Sequence, residues 1–199
     1  MRRLFATLLI AAAVAVPALA APSELKPFEA DYTANYMGME GAGHMSLAQS
    51  GGQWRPLSGS DTSSVLIKKV AKQAQYDSAK GEATWSGDVK ADRAGPVKLQ
   101  AGDMDAMMLN LAIARDVNAG KPLHYRMVDD GRAKDLVYTV AGKEAITIDG
   151  KSKQATKVTR TDGKRETLLW IVDGLPAPAR ILQRKDGSDE IDLHLKSMR

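Results

Sequence analysis

The 199-residue chain contains no cysteine, which excludes disulfide scaffolds, thiolate metal centres, cysteine nucleophiles and lipid anchors attached through sulfur. Aromatic residues make up only 5%, with two Phe against nine Met, so aliphatic and methionine side chains must fill most of any core. Neither sign of charge dominates. The 28 basic and 24 acidic residues are interleaved without a basic block, the pattern of a solvated surface and not of a phosphate-binding footprint, so nucleic acid is not an expected partner. The glycine-rich phosphate loops G-x-G-x-x-G and G-x-x-x-x-G-K are absent, and no nucleotide site is indicated.

The first twenty residues read as an address. Arg2 and Arg3 precede an apolar run over 4–16, and Ala18-Leu19-Ala20 supplies the small-x-small pattern of a signal-peptidase site. The run is shorter than the roughly 20 apolar residues a membrane span needs, and it stops at Pro17. Cleavage after Ala20 is expected, which leaves 21–199 as one domain that is not an integral membrane protein. Loss of the two arginines lowers the formal charge from +4 to +2. A mature chain without cysteine folds in an oxidising compartment without disulfide chemistry, and the expected location is the periplasm.

The body reads as strands. Phe28, Ala30, Tyr32, Ala34 and Tyr36 alternate with polar residues, the period of a half-buried strand. A glycine-rich turn over 38–43 is expected to lead to a return strand carrying Met45 and Leu47. Shorter strand candidates lie at 54–57, 64–70, 73–77 and 83–86. In the second half, Asp130-Gly131, Asp149-Gly150, Asp162-Gly163 and Asp186-Gly187 separate strand-like runs, and Asp-Gly is a strong hairpin signal. The runs are 123–128, 135–141, 144–148, 153–160, 166–172, 179–184 and 190–196. One helix is expected over 104–118, with Asp103 as N-cap, Asp105 favouring the positive helix start, and Gly120 and Pro122 beyond its end. Met104, Met107, Met108, Leu111 and Ile113 with several alanines make it apolar around much of its circumference, so it must be buried on more than one side. The expected fold is mostly β, an antiparallel meander forming a curved sheet or half-barrel packed around this helix.

The run Leu25-Lys26-Pro27-Phe28-Glu29-Ala30, the Met- and Leu-rich helix ending in 116–120, the run Lys164-Arg165-Glu166-Thr167-Leu168-Leu169-Trp170, its continuation through Leu175-Pro176-Ala177-Pro178-Ala179-Arg180-Ile181, and the Lys185-Asp186-Gly187 turn stand in that order. In these motifs the chain resembles the exported bacterial family known as domain of unknown function 3108. The resemblance implies a secreted, mostly β envelope protein and brings no catalytic or binding residues with it.

No constellation fixes a reaction. His44, His124 and His194 lie far apart and lack the close pairing of metal ligands, so single strand histidines are expected and no metal or other cofactor is called for. Met37, Met39, His44 and Met45 carry ligands suited to Cu(I), against the plainer reading that methionine fills core gaps. Ser58-Gly59-Ser60-Asp61 lacks the strand-turn-helix context of a nucleophile elbow. Asp103 and Asp105 are better read as caps than as paired catalytic acids, and Asp129-Asp130-Gly131 lacks most ligands of a calcium loop.

In 166–172, Leu168, Trp170 and Val172 alternate with Leu169 and Ile171, so both faces of that strand are apolar and the second needs its own cover. The functional expectation is a non-enzymatic periplasmic envelope protein that holds a lipid or other apolar molecule between sheet and helix, lined by Met108, Leu111, Tyr125 and Trp170. The competing readings are a filled core with an envelope protein as partner, and a Met/His copper protein.

Overall fold

The structure, a computed structural model, describes residues 28–50, 53–58, 72–77 and 80–199. The leader and the strand candidate at 64–70 lie outside the described residues. Thirteen strands and one α-helix are present among those described: β1 Phe28–Tyr36, β2 Met39–Ser50, β3 Gln53–Ser58, β4 Lys72–Asp77, β5 Glu82–Gly87, β6 Val97–Lys98, α1 Ala106–Asn118, β7 His124–Asp129, β8 Arg132–Val137, β9 Thr139–Ile148, β10 Lys151–Asp162, β11 Arg165–Val172, β12 Arg180–Lys185 and β13 Ser188–Met198.

The expected meander is the main body. An eight-stranded sheet runs in the order β3-β2-β1-β13-β12-β11-β10-β9, antiparallel throughout. Pairing of β1 with β13 joins the two halves of the chain, and Glu29 and Arg199 exchange backbone hydrogen bonds at its end. A flat sheet would hold β9 and β13, four positions apart, about 19 Å from one another. They touch, so the sheet is strongly curved, while β3 and β9 remain its open edges. Two small sheets, β4-β5-β6 and β7-β8, complete the β structure.

Turn chemistry sets the register. Asp130, Asp149 and Asp186, each followed by Gly, adopt positive φ near 50°, which only Gly, Asn and Asp adopt readily and which a tight primed turn requires. Asp162 instead ends β10, and Gly163 at φ 59° takes the first loop position. The glycine-rich turn expected over 38–43 is shorter, because Met37 and Gly38 alone close the hairpin while Gly41 and Gly43 pair within β2. The expected break between 141 and 144 is also absent: 139–148 is one strand with a bulge beside Gly142. The chain changes sheets earlier, at buried Tyr138, whose N–H donates to the carbonyl of Leu123.

The helix starts two residues later than expected. Asp105 is the N-cap, accepting from the Met108 N–H at 2.7 Å, whereas Asp103 accepts from the Gln100 N–H and pairs with Arg126. Met104 forms a bridge with Met127 of β7, and that extended pairing keeps residue 104 out of the helix. Burial raises the Asp105 carboxyl above its usual range, against bonds from the Met108 and Met107 amides that lower it and the Asp129 charge that raises it further. Asp105→Ala is therefore expected to cost about 1 kcal/mol in urea unfolding at neutral pH. Asp105→Asn, which keeps the cap and removes the buried charge, should be as stable as the parent. Equal damage from both variants would contradict this account of the helix start.

Leu109, Leu111, Ala112, Ile113, Ala114 and Asp116 of α1 are buried, so the helix is enclosed on more than one side, as its composition requires. Leu109, Ala112 and Ile113 pack with Leu169, Ile171 and Ile181 of the large sheet. Leu111 joins a second cluster with Phe28, Tyr32, Leu182 and Leu195. A third, smaller cluster sets Trp85 and Ala83 of β5 against Val128 of β7, and the Tyr76 hydroxyl donates to the Val128 carbonyl at 2.9 Å.

Candidate functional site

The four residues expected to line a ligand site fall in two places. Met108, Leu111 and Trp170 belong to one apolar cluster, and Tyr125 to the other. Trp170 is 3% exposed, and its cover is ionic. In register, Lys157 of β10, Trp170 of β11, Arg180 of β12 and His194 of β13 stand side by side across four strands. Directly opposed residues share a face of the sheet, so the charged side chains lie beside the indole. The Arg180 guanidinium sits 4.6 Å and the Lys157 ammonium 5.2 Å from the ring centroid, favourable cation–π distances. The Trp170 Nε1–H donates to Glu144 Oε2 at 2.8 Å, and Lys157 Nζ reaches Glu144 Oε1 at 2.7 Å.

Asp192 extends this array, accepting two bonds from Arg180 at 2.8 and 2.7 Å while His194 Nε2 lies 3.1 Å away. Burial pushes the Asp192 carboxyl up, but the bonds from Arg180 and His194 and their charges outweigh it and hold it below the ordinary carboxylate range.

Tyr125 has a different role. Its hydroxyl donates to Asp116 Oδ2 at 3.1 Å, and Asp116 is also held by both arms of Arg115 at 2.8 Å. Asp116 is the one buried charged residue among those described, at 5% exposure. Burial acts to raise its carboxyl, yet the Arg115 pair, the Tyr125 hydroxyl and the Lys121 charge bring it below its usual value. Periodicity gives no warning of such a residue, because a charged position near a helix end ordinarily reads as solvated.

The metal expectations can be placed by register. Met39 and His44 stand five residues apart on one extended strand, about 17 Å at the usual rise, so the sequence cluster is not a spatial one. Asp130 of the Asp129-Asp130-Gly131 run pairs with Arg93. Among the described residues, no three His, Asp or Glu side chains converge as metal ligands.

A cavity of about 410 Å³ lies instead at one end of the large sheet, within the range of small-molecule sites. Ile148, Val172, Leu175, Leu195 and Met198 supply its apolar surface, and Lys151, Lys153, Lys196, Asp149, Asp173 and Ser197 its polar surface. The β9–β10 hairpin end, the loop after β11 and the end of β13 form the walls. Curvature of the sheet brings them together, since β9 and β13 are not neighbours in the sheet order. None of the four expected liners contributes. A local signal does exist in the alternation of Ile146 and Ile148 on one strand with Lys151 and Lys153 opposite them, but its meeting with the end of β13 depends on curvature that no local pattern records.

Curved antiparallel sheet, one enclosed helix and a groove at the sheet end define a mostly β protein of the sheet-and-helix class, in which no helix of the described residues is long and apolar enough to cross a membrane. The chain belongs to the family described as "Protein of unknown function (DUF3108)", whose model matches residues 33–194. No curated protein matches the sequence. Among solved structures it is similar to the crystal structure of MucB, with 12% sequence identity and a TM-score of 0.38 over 91% of this chain and 55% of that one. The chain thus spans about half the length of that protein.

Proposed function

We propose that this chain is an exported, non-enzymatic periplasmic envelope protein that holds the alkyl part of an apolar molecule in the groove at the end of the large sheet. The groove itself carries the reading: partly exposed Ile148, Leu175 and Met198, backed by buried Val172 and Leu195, surround a volume of about 410 Å³. Each methylene hidden there is worth about 0.8 kcal/mol, against which association and ordering costs are set. The Arg2-Arg3 leader with its Ala18-Leu19-Ala20 site supports export.

Protein purified from its own envelope and studied by N-terminal sequencing and native mass spectrometry tests this. The expected chain begins at Ala21 and carries an added mass that organic extraction removes, and Leu175→Asp loses that mass while melting within a few degrees of the parent. A bare mature mass with no extractable lipid would overturn ligand binding. The alternative would then be a partner-binding module, favoured by the exposed apolar tip of the β1–β2 hairpin, where Tyr36 and Met39 flank Met37 at 63% exposure.

A further inference from the structure

We infer that the groove selects a single-chain amphiphile with an anionic headgroup, an inference that rests on the groove reading above and names the class of its ligand. Lys151 and Lys153 lie two residues apart on β10, opposite Ile148 and Ile146 of β9, so strand alternation puts both lysines on the same face as the two isoleucines. Lys196 comes from β13 at an irregularity in the sheet. Tyr32 pairs with Leu195 and Asp31 with Ser197, which leaves Lys196 as the extra residue of a bulge. A bulge re-aims side chains that regular alternation would send to opposite faces. It puts Leu195 and Met198, three residues apart, on one face opposite Tyr32 and Ala30, and both line the groove together with Lys196.

Apolar surface and ammonium groups therefore meet in the same cavity from two strands that are not neighbours. Each of the three lysines is exposed. The carboxylates of the lining are Asp149 in the β9–β10 turn and Asp173 just after β11. Ion pairs bind Lys157 to Glu144, Lys164 to Asp186, Arg180 to Asp192 and Arg184 to Asp189 on the same sheet, whereas among the described residues no ion pair joins Asp149 or Asp173 to Lys151, Lys153 or Lys196. An anionic head at the mouth would meet up to three ammonium groups while its chain lies on Ile148, Val172, Leu175, Leu195 and Met198. A volume of about 410 Å³ accommodates one alkyl chain with a small head.

Calorimetric titration of the mature protein with laurate, dodecyl maltoside, dodecyltrimethylammonium and inorganic phosphate, all below micelle formation, tests the inference. Laurate should bind about tenfold more tightly than the neutral detergent, the sum of three exposed ion pairs of ordinary strength. The cationic detergent should bind more weakly than either, and phosphate alone should not bind measurably. Combined Lys151→Gln, Lys153→Gln and Lys196→Gln should erase the preference for laurate over the neutral detergent. On the unaltered protein, raising ionic strength should shrink the same preference. Equal affinity for laurate and the neutral detergent, or a preference untouched by both the substitutions and salt, would overturn the headgroup inference while the groove reading stands. Phosphate binding as tightly as laurate would overturn it in favour of a simple anion site. Binding of no alkyl probe would overturn both readings together.

Discussion

Gly131→Ala is expected to destabilise the protein by about 3 kcal/mol, while the same substitution at Gly150 or Gly187 costs about 1 kcal/mol. All three glycines follow an aspartate in a tight hairpin turn and have φ between 71° and 80°, so the conformational penalty of adding a Cβ is shared. Their surroundings differ. A Cβ at Gly150 or Gly187 would meet nothing within 4 Å, whereas at Gly131 it would stand 2.2 Å from the Arg93 carbonyl oxygen and 2.6 Å from its Cα. Those are backbone atoms of the 3-10 turn Ala91–Arg93, and the ion pair between the Arg93 side chain and Asp130 fastens that turn to the same hairpin. Neither side can yield without separating β7 and β8 from the segment packed on them. At about 2–4 °C per kcal/mol for a chain of this size, melting should fall by about 6–12 °C for Gly131→Ala and about 2–4 °C for the other two. Three equal decrements would show that Arg93 does not bear on the turn.

Gly131 also illustrates what was legible in the sequence. Asp-Gly dipeptides between alternating runs announced the hairpins, because turn chemistry is local and strict. The C-terminal meander, the helix α1 and its burial on several sides followed from periodicities that need no knowledge of distant residues. Which of four similar turns has another segment lying across it depends on tertiary packing, and Asp-Gly reads alike in all of them. The same division holds at the helix start, where Asp103 and Asp105 are equally good caps by type. The pairing of Met104 with Met127, which decides between them, lies more than twenty residues away in sequence.

The candidate site shows this limit in a sharper form. Trp170 invited a ligand because both faces of its strand are apolar, and hydropathy cannot foresee that Lys157 and Arg180 would cover an indole with their own charges. The register that sets these residues side by side is fixed by hairpin turns, so the arrangement was in principle derivable once strand lengths were known. The groove was not. It joins two ends of a sheet that meet through curvature, and one of its lysines is supplied by a one-residue irregularity in β13. Ordinary strand alternation would assign Leu195 and Lys196 to opposite faces.

Ile113→Ala is expected to destabilise the protein by about 3 kcal/mol. Ile113 is fully buried in the middle of α1 and packs in the cluster that holds Leu169, Ile171 and Ile181 of the large sheet with Tyr125 of β7. Removing its outer carbons leaves a cavity at the junction of helix, large sheet and β7–β8 ribbon, three elements that cannot all close on it at once. Alanine is the better helix former, but the difference of about 0.4 kcal/mol recovers little of the loss. Met108→Ala, at a half-buried position on the same helix, should cost about 1 kcal/mol, since a flexible side chain already near solvent leaves a smaller void. Because a domain of this kind is held by only about 5–15 kcal/mol, Ile113→Ala should also raise amide exchange across α1 and β7 before global unfolding, while laurate affinity in the folded population stays at the parent value, the groove being lined from β9, β10, β11 and β13 and not from the helix. Loss of laurate binding at denaturant concentrations where the variant is still folded would mean that the helix shapes the groove after all. An unfolding cost below about 1 kcal/mol would mean that the helix is not keyed into the sheet through Ile113.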